Sequence, residues 1–511
     1  MTIQEQFQLG LQLHVAGNLD GAEKHYRLVL SRDGNHPDAL HLLGVIARER
    51  GNRGAALELI DRAIAIEENK AEYHANRGLT LAELRRFDEA VAAYQRSIAL
   101  DPAAAQTHNN LGSAFIEMGR IDEAVACLEV ALKLNPDYAK AEHNLGNAYL
   151  KTGRLEQAVP RYRRTLELSP DWREPSNNLG YALCRLGRFA EAEDVHRQAV
   201  RWRPDCALSH FNYGVSLLRR GEMEQGWEEH EWRLQVPELG MRGARIKMPR
   251  WDGGELGGKS LLLCAEQGLG DTIQFVRYVP LVAQRGGRIT VAVQPELLSL
   301  VRCVPGAQRW VAAAGKLPEC DAYCLLPSLP GVMRTNLTNI PADVPYISAD
   351  TALRKKWLAR APEGRLKVGL VWAGQPRLHI DRERSLPLEQ LAPLARSGAW
   401  FVSLQKGEAA RQAAGSVFPI ADWTDELKDF SDTAALVDNL DLVVTVDTAV
   451  AHLAGAMGKP VWVLLPFVPD WRWMLERSDS PWYPTMRLFR QEKLGDWETP
   501  VSQAARALKD R

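Results

Sequence analysis

Glycine returns every 34 residues through the first half of this chain, at Gly10, Gly44, Gly78, Gly112, Gly146, Gly180 and Gly214. Alanine keeps the same step at Ala22, Ala56, Ala90, Ala124, Ala158 and Ala192, ending on Gly226, and prolines follow at Pro102, Pro136, Pro170 and Pro204. A fixed period of this length marks a solenoid of two-helix units that bury their apolar faces against one another. Each phased position has a physical reason. The first glycine and the alanine lack bulk, so the two helices of a pair approach closely. A second set, Gly17, Gly51, Gly119, Gly153, Gly187 and Gly221, ends the first helix, and the proline stops the second. About seven helix pairs are expected over residues 1–236. Gly34 and Glu68 stand at the proline position of the first repeats, which read as drifted or capping units.

This pattern closely resembles the tetratricopeptide repeat (TPR). Two residues before the phased glycines stand Asn76, Asn110, Asn144, Asn178 and Asn212, after Gln8 and Leu42 in the first two repeats. They fall at equivalent points of the first helices, which line the concave surface of such arrays. A side-chain amide offers both a donor and an acceptor, so a spaced row can hold an extended chain by its peptide groups. The row is similar to the asparagine ladder of O-GlcNAc transferase, which holds acceptor polypeptide. That resemblance implies that these five asparagines bind acceptor. The alternative is that asparagine here supports the helix pair, and on either reading the array is a protein-binding surface.

At 511 residues the chain is long enough for two to four folding units. With 46% hydrophobic and 25% charged residues it has a globular balance. A net charge of −1 gives no reason to expect nucleic acid as partner. The seven cysteines are scattered; Cys320 and Cys324 alone are close, and no zinc set completes them. An odd count without a framework suits a reducing compartment. The opening MTIQEQFQLG lacks the features of a signal peptide. The most apolar stretch, residues 440–469, is interrupted by Asp441, Asp447, His452, Lys459 and prolines, so no membrane span is expected. The expected location is cytoplasmic.

After Gly226 the phase is lost, and residues 237–258 read as a linker rich in Gly and charge. From Lys259 short apolar runs alternate with helical stretches: SLLLCA, DTIQFVRYVPLVAQ, RITVAV and PELLSLVRCV. The alternation resumes past residue 350 with LKVGLVWAG, PLEQLAPLA, AWFVSLQ, TAALVDN, LDLVVTV, TAVAHLAGAM and KPVWVLL. It predicts parallel sheets with crossover helices. Two Rossmann-like lobes, 259–350 and 351–511, are expected to face a cleft, the first of them small.

GLGDTIQF after the first strand and VDTAVAHLAGAMGKPVWVLLP near the end resemble the ADP-heptose:lipopolysaccharide heptosyltransferase family, over residues from Lys259 to the C-terminus. Those are inverting enzymes of the glycosyltransferase-B fold. The resemblance implies an α-helical TPR superhelix joined to an α/β part with two Rossmann-like lobes of that type, the second binding nucleotide sugar. It also implies that Asp271 is the general base; the residue itself could equally cap its helix. Gly268 and Gly270 would let substrate approach the backbone. Asp447, Thr448, Ala449 and His452 would surround the sugar donor at a helix start, where free N–H groups favour a diphosphate. Ala449 and Val450 depart from the glycine-rich version of this turn, and His452 alone reads equally well as a core histidine.

No Asp-x-Asp triplet of the kind metal-dependent glycosyltransferases use occurs in the chain. No metal is therefore expected, nor any cofactor besides the nucleotide sugar as co-substrate, and leaving-group charge must be met by side chains and helix ends. Lys406, after the strand WFVSLQ, is the first candidate, with Arg377 and Arg384 next. Gln405 is expected to reach the base or ribose. Trp471 and Trp473 either stack on the ligand or pack. The expected function is an inverting, metal-independent glycosyltransferase acting on a polypeptide held by the repeats. The fusion is similar to bacterial relatives that modify proteins, flagellins among them. Two other readings remain: a TPR adaptor with an inactive module, and a transferase acting on a surface glycan or lipid-linked acceptor. Asp271, Lys406 and Asp447 together speak against the first, and the asparagine column speaks against the second.

Overall fold

The phased glycines at Gly10, Gly44, Gly78, Gly112, Gly146 and Gly214 face the second helix of their own pair at a distance that admits no side chain. In the computed structural model of the chain, a Cβ on Gly44 would stand 2.7 Å from Ile60, on Gly78 2.6 Å from Tyr94, on Gly112 2.7 Å from Leu128 and on Gly146 2.8 Å from Tyr162. The structure describes all residues except 173, 240–245, 267, 376–380 and 417. Five such pairs fill a first compact unit, Met1–Leu183. They run from Ile3–Val15 with Leu19–Arg32 to Ala139–Lys151 with Leu155–Leu168. Between paired helices Gly17, Gly51, Gly119 and Gly153 adopt left-handed φ values of +72° to +81°, the conformation that ends a helix at least cost in glycine. The third repeat has Arg85 in that place, with φ +59°.

The second unit, Cys184–Arg511, begins inside the repeat array. The expected boundary at residue 236 is therefore not where the units divide. Helices Ala207–Arg220 and Met223–His230 place Leu218, Met223 and Trp227 in the core of the sheet-containing part, and Phe189, at the start of the helix Phe189–Trp202, lies beside Phe467. Trp227 meets Trp471 edge-on at 5.1 Å and donates from Nε1 to the Thr335 carbonyl at 2.9 Å. Arg219 Nε donates to the Pro469 carbonyl at 3.1 Å. The expected linker is also partly docked: Trp251 N donates to Tyr323 O (2.8 Å), and Tyr323 N to Pro249 O (2.9 Å).

Two parallel sheets complete this unit. The first contains β1 (Ser260–Cys264), β2 (Arg288–Val293), β3 (Arg309–Ala312) and β4 (Ala322–Leu325), ordered β3-β2-β1-β4. The second contains β5 (Lys367–Val371), β6 (Trp400–Ser403), β7 (Ile420–Ala421), β8 (Leu442–Val446), β9 (Val461–Leu465) and β10 (Met486–Arg490), ordered β10-β9-β8-β5-β6-β7. β8 and β9 are buried along their whole length, as unbroken apolar runs in a parallel sheet require. The short edge strands β3, β7 and β10 and the last helix, Glu498–Lys509, were not legible as segments, because edges carry mixed residues. PLEQLAPLA forms a 3-10 turn (Leu388–Ser397) rather than an α-helix, because Pro393 removes a backbone donor. Among the described residues, no helix is long and apolar enough to cross a membrane.

Arg85 supplies the test of this helix-end reading. A left-handed non-glycine residue costs roughly 1–2 kcal/mol, and glycine gives back about 0.5–1 kcal/mol of that through its freer unfolded chain. Arg85→Gly is expected to stabilise the protein by about 0.5–1 kcal/mol in urea denaturation. An unchanged or lower midpoint would mean that the contacts of Arg85 with Phe87 and Glu117 outweigh the strain.

Candidate functional site

In each sheet the strand order reverses at one point, between β1 and β4 in the first and between β5 and β8 in the second. Crevices that hold ligands open at such points, outside the carboxyl ends of the strands. β1 runs into the turn and helix that carry Asp271 (Leu269–Phe275), and β8 into those that carry Asp447 (Ala449–Ala456). The two helix starts touch. A Cβ on Gly270 would lie 2.8 Å from His452 Cδ2 and 3.5 Å from Ala449 Cα. Strand ends from both sheets thus meet in one place.

At that meeting point stands Arg472, from the loop after β9. Its guanidinium reaches both sides: Nη2 to Asp271 Oδ1, Nε to Gln274 Oε1 at 2.6 Å, and Nη1 to Asp470 Oδ1 at 2.8 Å. Asp271 Oδ2 accepts from Gly268 N at 2.8 Å, so both carboxylate oxygens are engaged. Burial opposes the charge on Arg472, but Asp470, Asp271 and Asp447 together hold it firmly protonated. Burial likewise pushes Asp470 upward, and Arg472 more than reverses this, leaving it below the usual carboxylate range. Asp447 goes the other way. Burial and then the Asp470 carboxylate push it up to about 6, against the pull of Arg384 and Arg472. The Trp473 indole N–H lies near enough to assist Asp447 electrostatically without completing a hydrogen bond.

The structure assembles some of the expected residues and reassigns others. Asp271, Gly270, Asp447, Ala449 and His452 come together. Gly270 is needed for packing against the second helix. His452 is buried: its Nδ1 is 2.9 Å from Tyr483 Oη, its ring stacks on Trp473 at 5.3 Å, and burial lowers it to about 3, so the imidazole is neutral. It packs the joint between the two helix starts. Thr448 turns its hydroxyl to Thr445 Oγ1 (3.0 Å) and caps none of its helix's N–H groups.

Gln405 is corrected as well. Oε1 accepts from Trp372 N and Ala373 N (3.0 and 2.8 Å), and Nε2 donates to Ala373 O and Lys406 O (3.0 and 2.9 Å). The amide is fully occupied in clamping the ends of β5 and β6. Lys406 Nζ donates to the carbonyls of Thr424 (2.6 Å) and Leu427 (3.1 Å), tying down a neighbouring loop. Trp471 and Trp473 are buried packing residues. Arg384 lies close enough to act on Asp447, and its Nε pairs with Asp381 at 3.2 Å. Arg377 falls outside the described residues. Arg472 and Asp470 were missed, and the available signal was a charged pair inside the otherwise aromatic Pro469–Trp473 segment. Among the described residues, no three His, Cys, Asp or Glu side chains gather as a metal-ligand set.

The asparagines stand part-exposed along the repeats. Asn76 Nδ2 contacts His41 Nε2 (2.9 Å), Asn144 Nδ2 donates to Asn109 Oδ1 (2.9 Å) and Asn178 Nδ2 to Asn147 Oδ1 (3.0 Å). Each of these three therefore gives one N–H to the preceding repeat. Asn110 Oδ1 accepts from its neighbour Asn109 at 3.3 Å, and Asn212 lies in the second unit.

The raised Asp447 carboxyl has a consequence for stability. Its folded value lies above its unfolded one, so ionisation costs stability in full above about pH 6, and the cost fades as pH falls from there toward the unfolded value of about 4. Asp447→Asn, always neutral, is expected to melt higher than wild type at pH 8, with the difference shrinking below about pH 6 and closing only near the unfolded carboxylate value of about 4. A melting difference that does not vary with pH would contradict this assignment.

Comparison with known proteins agrees with both halves. Residues 81–119 and 112–153 match a family described as TPR repeat, and residues 7–71, 143–201 and 177–226 one described as tetratricopeptide repeat. Residues 426–464 match glycosyltransferase family 9 (heptosyltransferase), a stretch that contains β8, Asp447 and the whole helix after it. Protein FlbA of Caulobacter vibrioides is 30% identical over 320 residues, 56% of this chain and 52% of its own length. The chain thus spans about half the length of that relative. Among solved structures, MamA is 27% identical with a TM-score of 0.30, covering 32% of this chain and 95% of its own. Pseudomonas aeruginosa pilF is 22% identical with a TM-score of 0.36, covering 41% and 93%. The N-terminal half is therefore an array of tetratricopeptide repeats, and the parallel-sheet region carries a glycosyltransferase-like module.

Proposed function

We propose that this chain is a cytoplasmic, inverting glycosyltransferase whose two sheets act as glycosyltransferase-B lobes and whose repeats hold a polypeptide acceptor, a flagellin or another surface protein. The observation that carries the proposal is the convergence of two strand-end carboxylates, Asp271 and Asp447, from separate parallel sheets onto one buried arginine. In this reading the acceptor hydroxyl attacks the anomeric carbon of a nucleotide sugar and passes its proton to Asp271. The bond to the diphosphate breaks on the opposite face, and the departing oxygen keeps the electron pair. Arg472, Arg384 and the uncapped N–H groups at Ala449 and Val450 then meet the new charge without a metal ion. Gln405 and Lys406 hold the surrounding backbone in place, and His452 packs between Trp473 and Tyr483.

Asp271→Asn retains shape and can still accept from Gly268 N, but it no longer takes a proton. Turnover is expected to fall by roughly 10²–10⁴-fold. Normal turnover would make Asp271 a helix cap and pair for Arg472 only. The engagement of both its oxygens favours the rival adaptor reading, and failure of the wild-type chain to bind any nucleotide sugar would establish that rival.

The asparagines are tested through acceptor binding. Changing Asn110, Asn144, Asn178 and Asn212 to Ala should weaken it by roughly 2–6 kcal/mol, at about 0.5–1.5 kcal/mol for each bond. The inter-repeat bonds of Asn144 and Asn178 are lost too, so melting falls as well. Acceptor KM is therefore read well below the melting point. An ordinary KM in the folded variant would leave the column a structural one.

A further inference from the structure

Arg472 combines two properties that a permanent structural ion pair does not require. It is held from two directions by groups besides Asp271: Gln274 Oε1 at 2.6 Å, and Asp470 Oδ1, which also accepts the Arg472 backbone N–H at 3.0 Å. The guanidinium would keep its place if Asp271 let go. It also stands within electrostatic reach of Asp447, at the start of the helix whose N-cap residue leaves its N–H groups uncapped. Three carboxylates, Asp271, Asp447 and Asp470, surround Arg472, and Arg384 is the further cation acting on Asp447. Asp271 Oδ1 faces the guanidinium and is not available to an incoming hydroxyl.

We propose that Arg472 is a diphosphate-binding residue that changes partners: a diphosphate arriving at the start of the Ala449–Ala456 helix takes the place of Asp271 on the guanidinium, and Asp271 is released toward the acceptor. The inference rests on the transferase reading of this site and adds an order of events to it. Planar guanidinium groups pair in parallel with two phosphate oxygens as readily as with a carboxylate, so the exchange swaps one charge-assisted pair for another. No covalent bond changes in this step. Sugar donor binds first, and until it does the base remains tied to Arg472, which guards against proton transfer at an empty site.

Competition is the measurable signature. If Asp271 and the diphosphate share Arg472, removing the carboxylate must strengthen diphosphate binding even as it damages catalysis. The test is calorimetry on the full chain at pH 8, with inorganic pyrophosphate, UDP and ADP as probes. Asp271→Asn is expected to bind at least one probe about tenfold or more tightly than wild type, and Arg472→Lys to weaken that binding by about tenfold. Asp447→Asn removes the same unit of negative charge without touching Arg472. Equal tightening in Asp447→Asn would reduce the effect to net charge and overturn the exchange. So would binding to Asp271→Asn no tighter than wild type, or no binding of any probe to it. Arg472→Lys is informative only if its melting curve remains cooperative; the comparison of Asp271→Asn with Asp447→Asn decides the matter without it. The transferase reading fails separately. Tightened binding with unimpaired turnover in Asp271→Asn would keep the exchange and remove the base, whereas lost turnover without tightening would do the reverse.

Discussion

Two helix starts from different sheets can share one cluster of charges only if their backbones come closer than a side chain allows. Gly270 is where that happens. A single methyl group there would stand 2.8 Å from the His452 ring, forcing the helix after β1 away from the helix after β8 and carrying Asp271 away from Asp447. The repeats use the same device, with glycine facing Ile60, Tyr94, Leu128 or Tyr162. In both units, close-packed interiors leave no slack to absorb an added carbon. The site is therefore a consequence of packing before it is a consequence of charge.

The charges then hold the arrangement in register. Arg277 is buried without a carboxylate partner among the described residues; its N–H groups meet the carbonyls of Gln274 and Trp482 (2.8 and 2.7 Å) and the hydroxyl of Tyr346 (2.9 Å). It joins the segment after β1 to the loops before β5 and before β10. Arg233 is fully buried between Glu231 (2.6 Å) and Glu266 (2.8 Å). Buried ion pairs gain little net stability, because desolvation offsets the attraction, but losing one partner is costly. Their effect here is geometric: they restrict how β1, the last helices of the array and the second sheet can be placed against one another. Arg472 belongs to the same class, with the difference that one of its partners is Asp271, the residue proposed as the base.

The end of the repeat array is part of this frame. Residues 467–474, which carry Asp470 and Arg472, lie between the second sheet and the helices at 189–230. Arg219 reaches the Pro469 carbonyl, Trp227 packs on Trp471, and a Cβ at Gly187 would strike Phe467 at 2.8 Å. The last repeat helices thus belong to the sheet-containing unit, and the loop that carries Arg472 is partly built on them. The asparagine column is likewise tied into the packing. One N–H of Asn144 or Asn178 ties adjacent repeats, while the residue remains part-exposed on the helix surface.

The sequence by itself determined the array, because a 34-residue period repeats one local packing problem and each solution lies within a few turns of chain. It also determined that Asp271 and Asp447 stand at strand ends before helices, since apolar runs and turn residues are local signals. It did not determine where the compact units divide, that Gln405 clamps backbone, or that His452 is a packing residue, for those depend on which surfaces meet. Arg472 shows why. It lies 201 residues from Asp271 along the chain, and no periodicity connects two positions that far apart. Only the folding of two sheets and three repeat helices around one loop brings that guanidinium to that carboxylate, because ion pairs are selected by distance in space and patterns by distance in sequence.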